Sequence, residues 1–112
     1  MLIACQDHLV TAAKAHVDRL VLEAFVAGID RCHDPALSEV LGRLCDLHAL
    51  SKIENDRGWF QEHGRLSGER SKATVKEVNR LCADVRELAG PLVDAFGIPD
   101  EVLAAPIARR SA

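Results

Sequence analysis

The side chains best suited to chemistry lie around the chain's single tryptophan. Trp59 is flanked by Glu54, Asp56, Arg57, Glu62 and His63. A carboxylate beside an imidazole can act as a general acid and base. An active site also needs groups that converge on one point, which closeness in sequence does not guarantee. The pattern therefore favours a solvated helix end with charges around a core tryptophan, and an acid–base site is the alternative.

Two cysteine–histidine pairs have the residue types of a metal site. Cys32 precedes His33, and Cys45 and His48 stand three positions apart on one helix face. Each pair supplies half of a zinc site. No second pair matches at ligand spacing, so the sequence predicts no metal site and favours packing roles. For His16, a core or interface histidine is likewise favoured over a ligand.

Charge and the remaining motifs exclude several function classes. The basic residues near the middle of the chain alternate with acids, which favours an ordinary solvated surface. The alternative is an anion site for a phosphorylated ligand. They are Lys52, Arg57, Arg65, Arg70 and Lys72. A net charge of −3 argues against nucleic-acid binding. Phosphate-binding glycine loops, the nucleophile elbow and the zinc protease motif are absent.

Targeting features predict a cytoplasmic protein without membrane association. The N-terminus lacks a signal peptide, and no apolar run approaches the length of a bilayer span. The ending Arg109-Arg110-Ser111-Ala112 is not a peroxisomal Ser-Lys-Leu signal.

Apolar periodicity and helix punctuation predict an all-α fold. Helices are expected at about 2–31, 35–63, 68–96 and 99–105, all in one domain covering 1–112. In the first helix one apolar stripe runs through Leu2, Cys5, Leu9, Ala13, Val17, Leu20, Ala24 and Ala27. The stripe of the second helix runs through Leu37, Leu41, Leu44 and His48 to Ile53.

Local signals set the helix ends. Asp34 before Pro35 and Ser67 before the third helix are N-cap candidates. Gly64 and Gly97 are expected to end the helices before them. A kink or an end is possible at Gly58.

The third helix shows the most regular periodicity. Its predicted seam is Val75, Val78, Cys82, Val85, Ala89, Leu92 and Phe96. Pro91 interrupts the pattern without ending it, so a kink near Gly90 is expected. Short connections between long helices require antiparallel neighbours. The prediction is an up-down-up bundle of three long helices and a short C-terminal helix.

Two segments carry a family resemblance. Leu92-Val93-Asp94-Ala95-Phe96-Gly97-Ile98-Pro99-Asp100 is the stronger, and Leu44-Cys45-Asp46-Leu47-His48-Ala49-Leu50 accompanies it. With Gly58 and Phe60 near Trp59, these segments occur in the order seen in acyl-CoA oxidases. The resemblance extends from about Thr11 to Ile107. It is closest to the C-terminal (second) helical domain of bacterial-type members.

The resemblance implies a function that this chain performs only as part of a larger protein. In that family an FAD-dependent enzyme of β-oxidation desaturates fatty acyl-CoA. A glutamate removes the α-proton, a hydride passes to FAD, and oxygen reoxidises the flavin to give hydrogen peroxide. No glutamate here matches the catalytic base, so no catalytic, cofactor-binding or metal residue is assigned.

The implied role is to pack against the catalytic domains, or a flavoprotein subunit, and to support a dimer. The residues that carry the motif and packing are Leu44, Cys45, Leu47, Leu50, Trp59, Phe60, Leu92, Val93, Asp94, Ala95 and Phe96. FAD belongs to the full-length enzyme, and none is expected on this chain alone. A domain separated from such an enzyme is expected to expose a sizeable apolar patch. The alternative is a free-standing helical interaction module without activity.

Overall fold

A computed structural model describes residues 2–102, and this part of the chain is all-helical, which confirms the predicted fold class. The helices are α1 Leu2–Asp30, α2 Pro35–Asn55, α3 Arg57–Glu62, α4 Gly68–Arg86 and α5 Ala89–Asp94, followed by a 3₁₀ turn at Asp100–Val102. Helix α2 packs against both α1 and α4, and its contact with α4 is the more extensive. Helix α2 is therefore the central element.

The predicted caps form because short polar side chains satisfy free N–H groups at the helix starts. The side chain of Asp34 accepts hydrogen bonds from two main-chain N–H groups in the first turn of α2, whose first residue is Pro35. The Ser67 hydroxyl accepts from the Arg70 N–H at 3.2 Å at the start of α4. Both N-cap predictions are confirmed.

Glycines end helices where the backbone turns left-handed. Gly64 has a φ of 66°, and Gly97 has a φ of 62° after α5. The N–H of Arg65 donates to the carbonyl of Phe60 at 2.8 Å, and that of Gly64 donates to Gln61 at 3.1 Å. This pair of bonds is the Schellman motif, which satisfies the last carbonyls of α3.

The second predicted helix, 35–63, is interrupted earlier than expected. Helix α2 ends at Asn55, and α3 begins at Arg57, so the break lies at Asp56 and not at Gly58. The Asp56 N–H donates to the carbonyl of Ile53 at 3.2 Å, which tightens the last turn. Asn and Asp favour turns over helix interiors, and their combination ends the helix before the glycine is reached.

The third predicted helix, 68–96, is broken and not merely kinked. Helix α4 ends at Arg86, and α5 begins at Ala89. The ring of Pro91 conflicts with the carbonyl four residues earlier, at Glu87, and Pro91 cannot donate a hydrogen bond to it. The prediction of a bend near Gly90 was wrong because the effect of the proline acts one turn upstream.

The fourth predicted helix, 99–105, is described only in part. The 3₁₀ turn covers Asp100–Val102 and Pro99 precedes it outside any helix. Residues 103–105 of the predicted helix lie outside the described residues.

The buried face of α4 differs from the predicted seam. The buried positions are Ser71, Thr74, Val78 and Leu81, and the same face continues through half-buried Val85, Leu88 and Leu92. Cys82, Ala89 and Phe96, which the prediction placed in the seam, are exposed. The observed face also alternates steps of four and three, but two polar residues with small side chains form its first turn.

Helix α1 packs through a face that the sequence analysis did not select. Its half-buried large side chains are Leu22, Phe25 and Ile29. In the predicted stripe, every member whose side chain is described, from Cys5 to Ala27, is exposed. Both sets recur at helical spacing, so periodicity alone could not separate them.

Candidate functional site: the motif groove

The fold brings the two sequence motifs together in one groove. Leu44 of α2 and Leu92, Ala95 and Phe96 of the C-terminal segment line an open apolar groove of about 310 Å³. We call it the motif groove. Leu44 and Leu92 are half-buried, so the floor of the groove is partly packed. The sequence motifs were recognised separately, and nothing in their spacing indicated that they meet.

The tail motif is largely open to solvent. Val93 is 66% exposed and Phe96 78% exposed. Asp94 is also exposed, and its main-chain carbonyl accepts from the Gly97 N–H at 3.0 Å. Two large apolar side chains of the motif therefore have room for a further contact.

The upstream motif lies deeper in the protein. Cys45 is buried, and Leu47 and Leu50 are half-buried. Burial, with a smaller contribution from the nearby Asp46 carboxylate, raises the pKa of the Cys45 thiol above its ordinary value. The thiol is therefore a packed, protonated group without the features of a reactive cysteine.

Trp59 and its neighbours form a second surface. The Trp59 ring meets Phe60 edge-on at 5.2 Å and stacks on His63 at 4.2 Å between ring centroids. Trp59 is 53% exposed, so it is not the core residue that the sequence analysis favoured. A groove of about 400 Å³ is lined by Ile53, Trp59, Phe60, Arg65 and Leu66.

This second surface does not form the acid–base site considered above. The Nδ1 of His63 lies 2.8 Å from the Trp59 carbonyl oxygen, which accepts its hydrogen bond. No hydrogen bond joins this imidazole to Glu62 among the described residues. The imidazole is therefore tied to its own helix, and the charges around it do not converge on a reaction centre.

The cysteine–histidine pairs are not joined by further ligands. In residues 2–102 no three histidine, cysteine or acidic side chains come together in a way that would hold a metal ion. The Cys32 thiol lies 3.6 Å from the main-chain oxygen of Asp34. His16 is exposed.

His48 packs against α1, a contact partner that the sequence did not specify. Its ring stacks on Phe25 of α1 at 6.3 Å, and its Nε2 is buried without a hydrogen-bond partner in the described structure. Nearby, Lys52 Nζ lies 3.2 Å from Asp18 Oδ1 and joins α2 to α1. The Nε of Arg57 is the other buried side-chain atom without a partner.

Nearly the full length of the chain matches a family model. The family model described as acyl-CoA oxidase matches residues 3–111. The chain belongs to the acyl-CoA oxidase family. It is 37% identical to Acyl-coenzyme A oxidase 2, peroxisomal, from Arabidopsis thaliana, over 96% of this chain and 16% of the relative. It is also 37% identical to Peroxisomal acyl-coenzyme A oxidase 2 from Oryctolagus cuniculus, over 82% of this chain and 14% of the relative.

Other relatives fit the same pattern. The Acyl-coenzyme A oxidase-like protein of Mus musculus is 28% identical over 92% of this chain and 16% of its own length. The chain thus spans about one-sixth of the length of these acyl-CoA oxidases. These relatives are eukaryotic and do not support the narrower bacterial assignment.

No solved structure matches the chain significantly. In the described part of the chain, no helix is both long enough and apolar enough to cross a membrane.

The described residues of this acyl-CoA oxidase family member do not fit a complete FAD site. Flavin dinucleotides carry a pyrophosphate, which helix N-termini and glycine-rich loops bind through free N–H groups. Here the N-termini of α2 and α4 are capped by Asp34 and Ser67. The motif groove is apolar. Another groove, of about 570 Å³, is lined by two lysines, Lys14 and Lys52. Lys52 is paired with Asp18, so Lys14 is the one lysine of this groove left to meet a phosphate.

Proposed function

We propose that this chain is the C-terminal helical domain of an FAD-dependent acyl-CoA oxidase and that it acts by packing, without a catalytic base of its own. In this proposal the enzyme converts acyl-CoA and oxygen to trans-2-enoyl-CoA and hydrogen peroxide. The domain supports the dimer and packs against the flavin-binding part. The bacterial type and the cytoplasmic location remain predictions from the sequence.

The motif groove is the observation that carries the proposal. Residues from both family motifs line it, and none of these four residues carries an ionisable side chain. Phe96 of the groove and the nearby motif residue Val93 are both exposed, which suits contact with another surface and gives no means of moving a proton or a hydride. Motif residues of this kind support assembly as the function of the segment.

The first experiment tests the isolated 112-residue chain. We expect no stoichiometric flavin absorbance after purification in the presence of FAD and no peroxide from acyl-CoA. A flavin spectrum or peroxide formation would contradict the packing role. Either result would also contradict the alternative of a free-standing interaction module.

The second experiment places the chain in a relative. The segment of Arabidopsis acyl-coenzyme A oxidase 2 that matches this chain is deleted in one protein and replaced by this chain in another. We expect the deletion to lose flavin and oxidase activity and the chimera to regain both. If the chimera is no better than the deletion, the proposed function fails and the free-standing module is favoured.

A further inference from the structure

The outward side of α1 is an apolar face that has no packing partner among residues 2–102. Its residues are Leu9, Ala13, Val17, Leu20, Ala24 and Ala27, all exposed, and we call this set the outer face. Steps of three and four residues place them on one side of the helix. From Leu9 to Ala27 the helix rises by eighteen steps of about 1.5 Å, so the outer face is about 27 Å long.

The outer face lies opposite the face that packs on α2. At 3.6 residues per turn, its centre is roughly 150° around the helix from the side formed by Leu22, Phe25 and Ile29. Leu9 is 70% exposed and Val17 is 55% exposed. A helix that is apolar on two opposite sides is typical of a protein interior, because one neighbouring helix can cover only one side.

The other described residues do not cover the outer face. Leu20 is 49% exposed, and Ala13, Ala24 and Ala27 are also exposed. The outer face is bordered by charged residues, including Lys14 and the Arg19–Glu23 ion pair at 2.8 Å. An apolar centre with a charged border is the usual composition of a protein–protein contact.

We propose that the outer face of α1 docks against an apolar helical surface in the remaining part of the acyl-CoA oxidase polypeptide. This inference rests on the proposed function and assigns the contact to particular residues. In the relatives, the matching segment is about one-sixth of one long polypeptide. The remaining part is therefore tethered to α1 at a high effective concentration, which favours it over a second copy of this chain. The three alanines of the outer face permit the close approach of another helix.

A polar substitution on the outer face provides the test in the chimera described above. Leu20→Gln places an amide where the proposed contact is dry, and Val26→Gln is the matched control. Val26 lies on α1, away from both the outer face and the packed face, and its exposure of 46% is close to the 49% of Leu20. In the isolated chain both variants are expected to keep the helix content and melting temperature of the parent, because neither side chain is packed there.

In the chimera, the variants are expected to differ. Leu20→Gln is expected to lower flavin retention and peroxide formation by about tenfold, because a buried amide without a partner is costly. Val26→Gln is expected to stay within about twofold of the parent, as surface substitutions usually do. A parent chimera that fails to assemble would overturn the proposed function and this inference with it.

Two outcomes would overturn the inference alone. One is an active parent chimera in which Leu20→Gln and Val26→Gln behave alike. The other is an isolated chain that sediments as a dimer and is dissociated by Leu20→Gln, while the chimera is indifferent to that change. The second result would assign the outer face to another copy of this chain.

Discussion

Truncation of Leu81 is expected to remove a large part of the stability of the isolated chain. Leu81 is 2% exposed on the buried face of α4, where Val78 is the next large apolar residue at 6%. Leu→Ala at a fully buried position costs about 2–5 kcal/mol. We expect about 3 kcal/mol here, because Leu81 is the most deeply buried of the three buried apolar residues in the described part, yet that core is small.

That loss is large relative to the whole. At roughly 0.05–0.15 kcal/mol per residue, a chain of this length has a free energy of unfolding of about 6–17 kcal/mol. The core of the described part has three buried apolar residues, Cys45, Val78 and Leu81, which places the chain near the lower value. Leu81→Ala should therefore remove about half of the stability and lower the melting temperature by about 10–20 °C.

Leu20→Ala is the matched control for Leu81→Ala. The same atoms are removed, but Leu20 is 49% exposed on the outer face of α1. We expect a change of less than about 0.5 kcal/mol. Urea unfolding followed by far-ultraviolet circular dichroism measures both variants, and equal slopes would show that the unfolded states are comparable. The reasoning fails if Leu81→Ala costs less than about 1 kcal/mol, or if Leu20→Ala costs as much as Leu81→Ala.

Three further predictions concern single interactions. Ser67→Ala should destabilise the chain by about 1 kcal/mol through loss of the α4 cap, whereas Ser67→Asp should retain stability; equal losses in urea melts would contradict the cap. At mildly alkaline pH, iodoacetamide should alkylate exposed Cys82 in the folded chain and Cys45 only after unfolding, as read by mass spectrometry. Burial raises the pKa of the Cys45 thiol in the folded chain. Its contribution to stability is therefore complete below the pKa of the unfolded state and is lost as pH rises through the folded value. If urea melts of Cys45→Ala show the same loss of stability at alkaline pH as the parent, this is refuted. A double-mutant cycle on the exposed Asp18–Lys52 pair should give about 0.2–1 kcal/mol, and a coupling above about 2 kcal/mol would be inconsistent with its exposure.

Local chemistry explains why some features followed directly from sequence. Asp34 and Ser67 act within one turn of their own helices, so their capping needs no knowledge of the tertiary fold. Gly64 likewise ends α3 through its own backbone conformation. Pro91 is also a local signal, but its ring conflicts with the carbonyl of Glu87, four residues earlier. The sequence thus identified the cause of the break while the predicted position was displaced by one turn.

The choice between apolar faces could not be made locally. In α4, Ser71 and Thr74 are buried but polar, so counting apolar residues selected exposed Cys82 instead of Leu81. The Thr74 hydroxyl donates to the Arg70 carbonyl at 2.8 Å, which satisfies it inside its own helix and allows its burial. Likewise, the meeting of Leu44 with Phe96 in the motif groove depends on how α5 follows the break, which sequence spacing does not specify.

Helix α1 has two apolar sides, and α2 covers one of them. Its outer face is the more regular of its two apolar sides in sequence, yet α2 packs on the side that contains Phe25 and Ile29. The Asp18–Lys52 ion pair and the Phe25–His48 stack both lie on that second side. Each of these contacts is specific to one side of the helix. Apolar burial is non-directional, so periodicity alone does not decide which apolar side faces α2. With α2 on that second side, the outer face is directed away from the rest of the described residues. In the related acyl-CoA oxidases, of whose length this chain spans about one-sixth, most of the polypeptide lies outside the matching segment.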